Sequence, residues 1–217
     1  FVSAVMLTMF ALTGCGGGTK APEESKSVES SKTAGESKSE EAKSEASKDS
    51  SKLIVVGYAQ VGAESDWRTA NTESFKSTFV PENGYELIFN DAQQKQENQI
   101  KAIRDFIQQE VDYIVLAPVV ETGWDTVLQE AKDAGIPVIL SDRMIKTSDD
   151  SLYTALVCGD FIKEGETAGH WLEDYIKLKG KNHDEKINIV TLQGTIGASA
   201  QVGRTDGFGN ILSQHPN

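Results

Sequence analysis

The chain is 217 residues long, with 21 Lys and Arg against 33 Asp and Glu, a formal charge of −12. Residues 19–52 hold seven lysines and eight acidic residues, so they nearly cancel and a net −11 falls on the remainder. A domain this acidic excludes nucleic acid as a partner, because phosphate contacts need a basic surface.

The first segment, FVSAVMLTMFALTG, has no charged side chain. Fourteen residues at about 1.5 Å each cannot cross roughly 30 Å of hydrocarbon, so it reads as the apolar core of a secretion signal. Leu12-Thr13-Gly14-Cys15 follows: a branched apolar residue, two small residues and a cysteine. This resembles the lipobox of bacterial lipoproteins, which implies a lipid on Cys15 and residues 1–15 as a partial signal peptide. Residues 16–52 contain ten serines and no aromatic residue. They cannot bury enough apolar surface to offset chain entropy and are expected to form a disordered tether. A flexible linker of this length reaches roughly 35 Å.

From Leu53 the pattern alternates. Leu53–Ala59 is a β-branched apolar run, the mark of a strand buried on both faces. A helix is expected near 68–80, a second strand over Tyr85–Asn90, and a helix over 94–110 with Ile100, Ile103, Phe106 and Ile107 at helical spacing. Asp112–Pro118 reads as the third strand. A helix over 124–134 ends at Gly135, where a C-cap favours positive φ. Pro137–Leu140 and Thr154–Cys158 read as strands four and five. A helix over 161–177, a sixth strand at Lys186–Leu192 and a helix over 199–213 complete the series. Strand–helix alternation with short connections predicts an α/β fold with a parallel sheet. Ligands of such sheets bind beyond the carboxyl ends of the strands, which selects loops 60–68, 90–96, 118–124 and 141–151.

Those loops carry Gln60, Glu64, Asp66, Trp67, Arg68, Asn90, Asp91, Trp124, Asp142 and Arg143. Planar hydrogen-bonding groups beside indoles suit a sugar, whose hydroxyls both donate and accept and whose C–H faces pack on rings. Each residue has a plainer reading. Asp142-Arg143 could be a surface ion pair, Trp67 could be core and Arg204 a solvated helix charge. Trp124 and Trp171 read as packing, and Cys158 as a small buried hydrophobe. Nothing in the sequence gives Glu64 and Asp91 a setting for acid–base catalysis, so no enzymatic role is read into them. The loop Gly62-Ala63-Glu64-Ser65 is not a phosphate-binding loop, and the three histidines lack zinc spacing, so no cofactor or metal is expected.

The segments VGYAQVGAESDWRTAN, NDAQQKQENQIKAIRDFI, APVVETGWDTVLQEAKDAGIPVILSDR and LQGTIGASAQVGRTDGF resemble the periplasmic sugar-binding proteins of ABC transporters. The broad match is the type 1 ribose- and galactose-binding group, and within it the galactofuranose-binding branch. The resemblance implies two Rossmann-like lobes with parallel sheets, hinged around a sugar: residues 53–158 as the first lobe and 159–217 as the start of a second. Because family members run on further, the second lobe is expected to be truncated. It also implies that Asp142 and Arg143 grip ring and hydroxyl oxygens, that Glu64, Trp67 and Arg68 contribute from the first loop, that Asp91 faces the ligand after strand two, and that Arg204 is the second lobe's basic contact. The implied protein is a monomeric, lipid-anchored, extracytoplasmic binder, at the outer face of the cytoplasmic membrane or in the periplasm. It would deliver a hexose such as galactofuranose to an ABC permease. The alternative is a sugar receptor feeding a chemosensory or sensor-kinase pathway.

Overall fold

The computed structural model describes residues 52–180 and 186–215. The lipobox cysteine Cys15, the segment 1–15 and the tether up to residue 51 lie outside the described residues.

Five strands form one sheet: β1 (Ile54–Gln60), β2 (Tyr85–Asp91), β3 (Tyr113–Leu116), β4 (Val138–Asp142) and β5 (Ala155–Cys158). Their order is β2-β1-β3-β4-β5 and every pairing is parallel. The helices are α1 (Asp66–Thr78), α2 (Gln96–Gln108), α3 (Asp125–Asp133), α4 (Phe161–Leu178) and α5 (Ser199–Leu212). All of these were expected from the sequence pattern, with boundaries moved by no more than two residues.

Each face of the sheet buries its own core, because successive side chains of a strand point to opposite sides. Ile114 and Leu116 join Ile103, Phe106, Val127 and Leu128 beneath α2 and α3. Val115 joins Val56 and Tyr58 on the other face, where Phe75 of α1 and Phe79 just after it close over them. Gly57 lets α2 come close: a Cβ there would lie 2.6 Å from the Phe106 ring. Two buried glutamines knit the strand ends. The Gln99 amide donates to Ala59 O at 3.0 Å and Ala117 O at 2.7 Å and accepts from Val119 N at 2.9 Å. Gln60 bonds Asn71 and Thr72 of α1 and its own neighbour Val61 N. Both glutamines are fully buried, so these bonds satisfy groups that would otherwise cost roughly 1–3 kcal/mol each.

α4 and α5 form a helix pair packed backbone to backbone. A Cβ on Gly165 would lie 2.3 Å from Arg204 O, and one on Gly207 only 2.0 Å from Ile162 O. The pair joins the strand-end loops through Glu121 N to Gly197 O at 2.9 Å and Met144 N to Ser199 Oγ at 2.9 Å.

Three expectations are corrected. Residues 186–192 form no strand: they enter no ladder, and Val190 and Leu192 are 88% and 94% exposed. A strand needs a paired neighbour, and no described segment supplies one. Cys158 is exposed, because β5 is the sheet's edge and all four of its residues remain accessible. Partial desolvation by its neighbours still pushes its thiol pKa up, and the nearby Asp142 and Asp160 add to this, so it is not an activated nucleophile. Trp171 is 64% exposed and stacks on Tyr175. It lies two residues past Gly169, about 200° around the helix from the face that meets α5.

Candidate functional site

The strand order reverses between β1 and β3, since the chain leaves β1 for β2 on one side and returns to β3 on the other. Such a switch point opens a crevice at the strands' carboxyl ends. The loop after β1 enters this crevice and delivers Glu64. Ser65 then caps α1 by accepting from Arg68 N, which places Arg68 in the first turn facing the sheet. β4 ends on Asp142, which takes the left-handed conformation (φ 67°) and turns the chain so that Arg143 follows. A non-glycine residue held there is a local strain of the kind that collects at functional sites.

These four side chains form one ionic cluster. Arg68, only 2% exposed, donates from Nε to Glu64 Oε1 at 2.9 Å and from Nη2 to Asp142 Oδ2 at 2.6 Å. Arg143, also buried, reaches Glu64 Oε1 at 3.4 Å, lies 3.7 Å from Asp142 Oδ2, and donates to Val119 O at 3.3 Å. Burial alone would lower the Arg68 pKa, but the bonds to Asp142 and Glu64 outweigh it and hold the guanidinium above its usual value. Arg143 falls below the usual value, chiefly through burial and secondarily through repulsion from Arg68. Beneath them the buried Tyr58 phenol is raised well above its normal range by desolvation, and its hydroxyl lies 3.0 Å from Asn71 Oδ1.

The cluster is not fully paired. Glu64 Oε2 and Arg68 Nη1 are buried and have no hydrogen-bond partner among the described residues. One is an acceptor and the other a donor, each worth on the order of 1–3 kcal/mol if a ligand satisfied it. A polyhydroxylated molecule can do both at once, because each hydroxyl donates and accepts.

The cleft above the cluster encloses about 430 Å³. Glu64, Trp67, Arg68, Asp142 and Arg143 line it from the sheet side, and Phe161, Glu164 and Arg204 from the helix pair. Trp67 is 57% exposed, with the Arg68 guanidinium 4.8 Å from its ring, so it is a wall of the cleft rather than core. Six of the seven ligand-contact residues expected from the sequence thus line a single cleft. The seventh, Asp91, does not: it is exposed and its Oδ1 accepts from Gln93 N at 2.7 Å within its own turn. Trp124 is buried, with its indole donating to Val120 O, and serves packing. Phe161 and Glu164 were missed as site residues. Their signal was their place in the first turn of the helix after β5, where side chains look toward the strand ends. Among the described residues no cluster of His, Cys, Asp and Glu could hold a metal ion.

The chain is similar to known proteins in sequence and in fold. The sequence model of the periplasmic binding protein domain matches residues 56–217. The galactofuranose-binding protein YtfQ of Escherichia coli (strain K12) is 49% identical over 164 residues, covering 76% of this chain and 49% of that protein. Among solved structures, a Mycobacterium smegmatis protein in complex with β-D-fucofuranose superposes with a TM-score of 0.70 at 51% identity, over 76% of this chain and 52% of the other. The periplasmic binding component of the arabinose ABC transporter from Shewanella sp. ANA-3, bound to α- and β-L-arabinofuranose, gives 0.67 at 50% identity, over 75% and 51%. The chain therefore spans about half the length of the relatives it matches.

Proposed function

We propose that this chain, which belongs to the periplasmic binding protein domain family, captures a sugar in its furanose form, such as galactofuranose, between two lobes and delivers it to an ABC permease. Its family is one of binding proteins, not enzymes. The observation that carries the reading is the Glu64–Arg68–Asp142–Arg143 cluster, which lines a cleft with Trp67 at its edge and leaves the buried Glu64 Oε2 and Arg68 Nη1 without partners among the described residues. The carboxylates and guanidiniums offset one another, which favours an uncharged ligand. The furanose form is supported by one relative named for galactofuranose and two others whose structures hold arabinofuranose and fucofuranose.

In this reading the sheet with α1–α3 is the first lobe and α4 and α5 belong to a second, the crossover lying at Gly159-Asp160. Sugar contacts both lobes only when they close, so it shifts the equilibrium toward closure, and the permease recognises the closed form. The protein works as a monomer outside the cytoplasm, held to the membrane by a lipid on Cys15.

Titration calorimetry with D-galactose, D-fucose and L-arabinose, each carbon-13 labelled at C1, tests the binding. Heat is expected from at least one, with the bound anomeric carbon resonating in the furanose range. No heat from any pentose or hexose sinks the sugar reading, and a bound pyranose signal sinks the ring form alone. The anchor has its own test. Expressed in a bacterium, the chain is expected to partition with membranes and to incorporate labelled palmitate, and Cys15→Ser to lose the label. A labelled Cys15→Ser protein would refute the anchor.

A further inference from the structure

Arg204 is the helix pair's only guanidinium among the described residues lining the cleft, and three observations concern how it is held. Its Nε donates to Glu164 Oε2 at 2.8 Å. Its guanidinium carbon lies 5.0 Å from the centre of the Phe161 ring, and Phe161 is buried. The helix crossing is tightest at these same residues: a Cβ on Gly203 would lie 2.7 Å from Phe161 Cβ, and one on Gly165 would meet Arg204's own carbonyl oxygen. Asp160 fixes the start of α4 by accepting from Lys163 N at 2.9 Å. The backbone around Arg204 is thus rigid, while its side chain is half-exposed and has four rotatable bonds. Left to itself, such a side chain would lose up to about 2 kcal/mol of conformational freedom on engaging a ligand.

We propose that Glu164 is a positioning residue: it ties Arg204 Nε and holds the guanidinium over Phe161, so that both Nη groups stay directed for ligand contact. Neither Nη group has a hydrogen-bond partner among the described residues. A planar fork anchored at Nε keeps two donors in fixed geometry, which a mobile arginine or a lysine cannot do. Glu164 also supplies the carboxylate that balances Arg204, completing a cleft in which three guanidiniums face three carboxylates. The entropy of ordering the arginine is met on folding, before any ligand arrives.

The affinity part of this inference rests on the sugar-binding reading; the positioning part does not. The first measurement is therefore ligand-free. In arginine-side-chain NMR, the Nε–H of Arg204 is expected to be protected from water exchange in the wild type and in Glu164→Gln, which still offers an acceptor, and to be averaged and fast-exchanging in Glu164→Ala. Equal protection in all three overturns the proposal whether or not sugar binds. The second is a double-mutant cycle with the sugar giving the largest heat. Glu164→Ala is expected to weaken binding about tenfold, Glu164→Gln by no more than about threefold, and Glu164→Ala combined with Arg204→Ala no further than Arg204→Ala alone. Additive losses would show that Glu164 acts independently of Arg204 and overturn the positioning role. A wild type that gives no heat refutes the sugar reading and leaves the NMR result to decide the proposal.

Discussion

Replacing Arg68 by methionine is expected to abolish measurable sugar binding and to destabilise the fold by about 3 kcal/mol, the low end of the cost of breaking a buried ion pair. The loss does not come from the arginine's own contacts alone. Its Nε and Nη2 hold two different carboxylates, Glu64 at 2.9 Å and Asp142 at 2.6 Å, both largely shielded from water. Without the guanidinium two carboxylates are left to one cation, Arg143 at 3.4 and 3.7 Å. Lysine does not rescue the site, because a single ammonium cannot bridge both carboxylates with the spacing of the arginine fork. A compensated variant separates stability from function. Adding Asp142→Asn to Arg68→Met is expected to recover most of the melting temperature, since the one remaining carboxylate, Glu64, keeps its 3.4 Å pairing with Arg143, yet to restore no affinity. Thermal melts and calorimetry on the same samples check both halves. Binding by the compensated variant would show that the cluster is scaffold rather than ligand contact.

Gly207→Ala is expected to cost about 3 kcal/mol, the upper end of overpacking. The added methyl would lie 2.0 Å from Ile162 O, 2.9 Å from Ile162 C and 3.0 Å from Glu166 N, all backbone atoms that cannot rotate away. α4 and α5 must part, and Phe161, Glu164 and Arg204 then leave their positions on the cleft. Gly209→Ala, two residues along the same helix, has nothing within 4 Å and should stabilise by about 0.5–1 kcal/mol, the ordinary helix preference for alanine. Opposite signs in two melts establish the close crossing; equal effects would refute it.

The sequence disclosed the sheet and concealed much of what covers it. β1 and β3 were legible because strands buried on both faces are apolar throughout, and this does not depend on what lies elsewhere. Residues 186–192 have the same composition but no ladder, since pairing belongs to two segments and a pattern reads only one. Cys158 and Trp171 misled for a related reason: their chemistry suits burial, but nothing among the described residues covers them. The cleft was accessible through its loops, because the end of each strand is marked by a change to polar residues. The contact between Arg68 and Asp142 was not, as 74 positions separate them and no spacing rule joins them. Gln60 and Gln99 were hidden more completely. An uncharged amide in a polar stretch looks like surface, and only the meeting of three strand-end groups on Gln99 shows that it is interior.

The two hydrogen bonds from Glu121 N to Gly197 O and from Met144 N to Ser199 Oγ have a thermal consequence. At a net worth of about 1 kcal/mol each, they hold the start of α5 to the strand-end loops with on the order of 2 kcal/mol. That is a few multiples of thermal energy, so spontaneous parting along this line would occupy a few per cent of molecules at any moment. A ligand joining Arg68 to Arg204 across the same line would bind only the joined form and so add to its hold. In the sugar-binding reading, the cluster's deep burial would fix where a ligand rests and the strength of this seam would set how readily it enters and leaves.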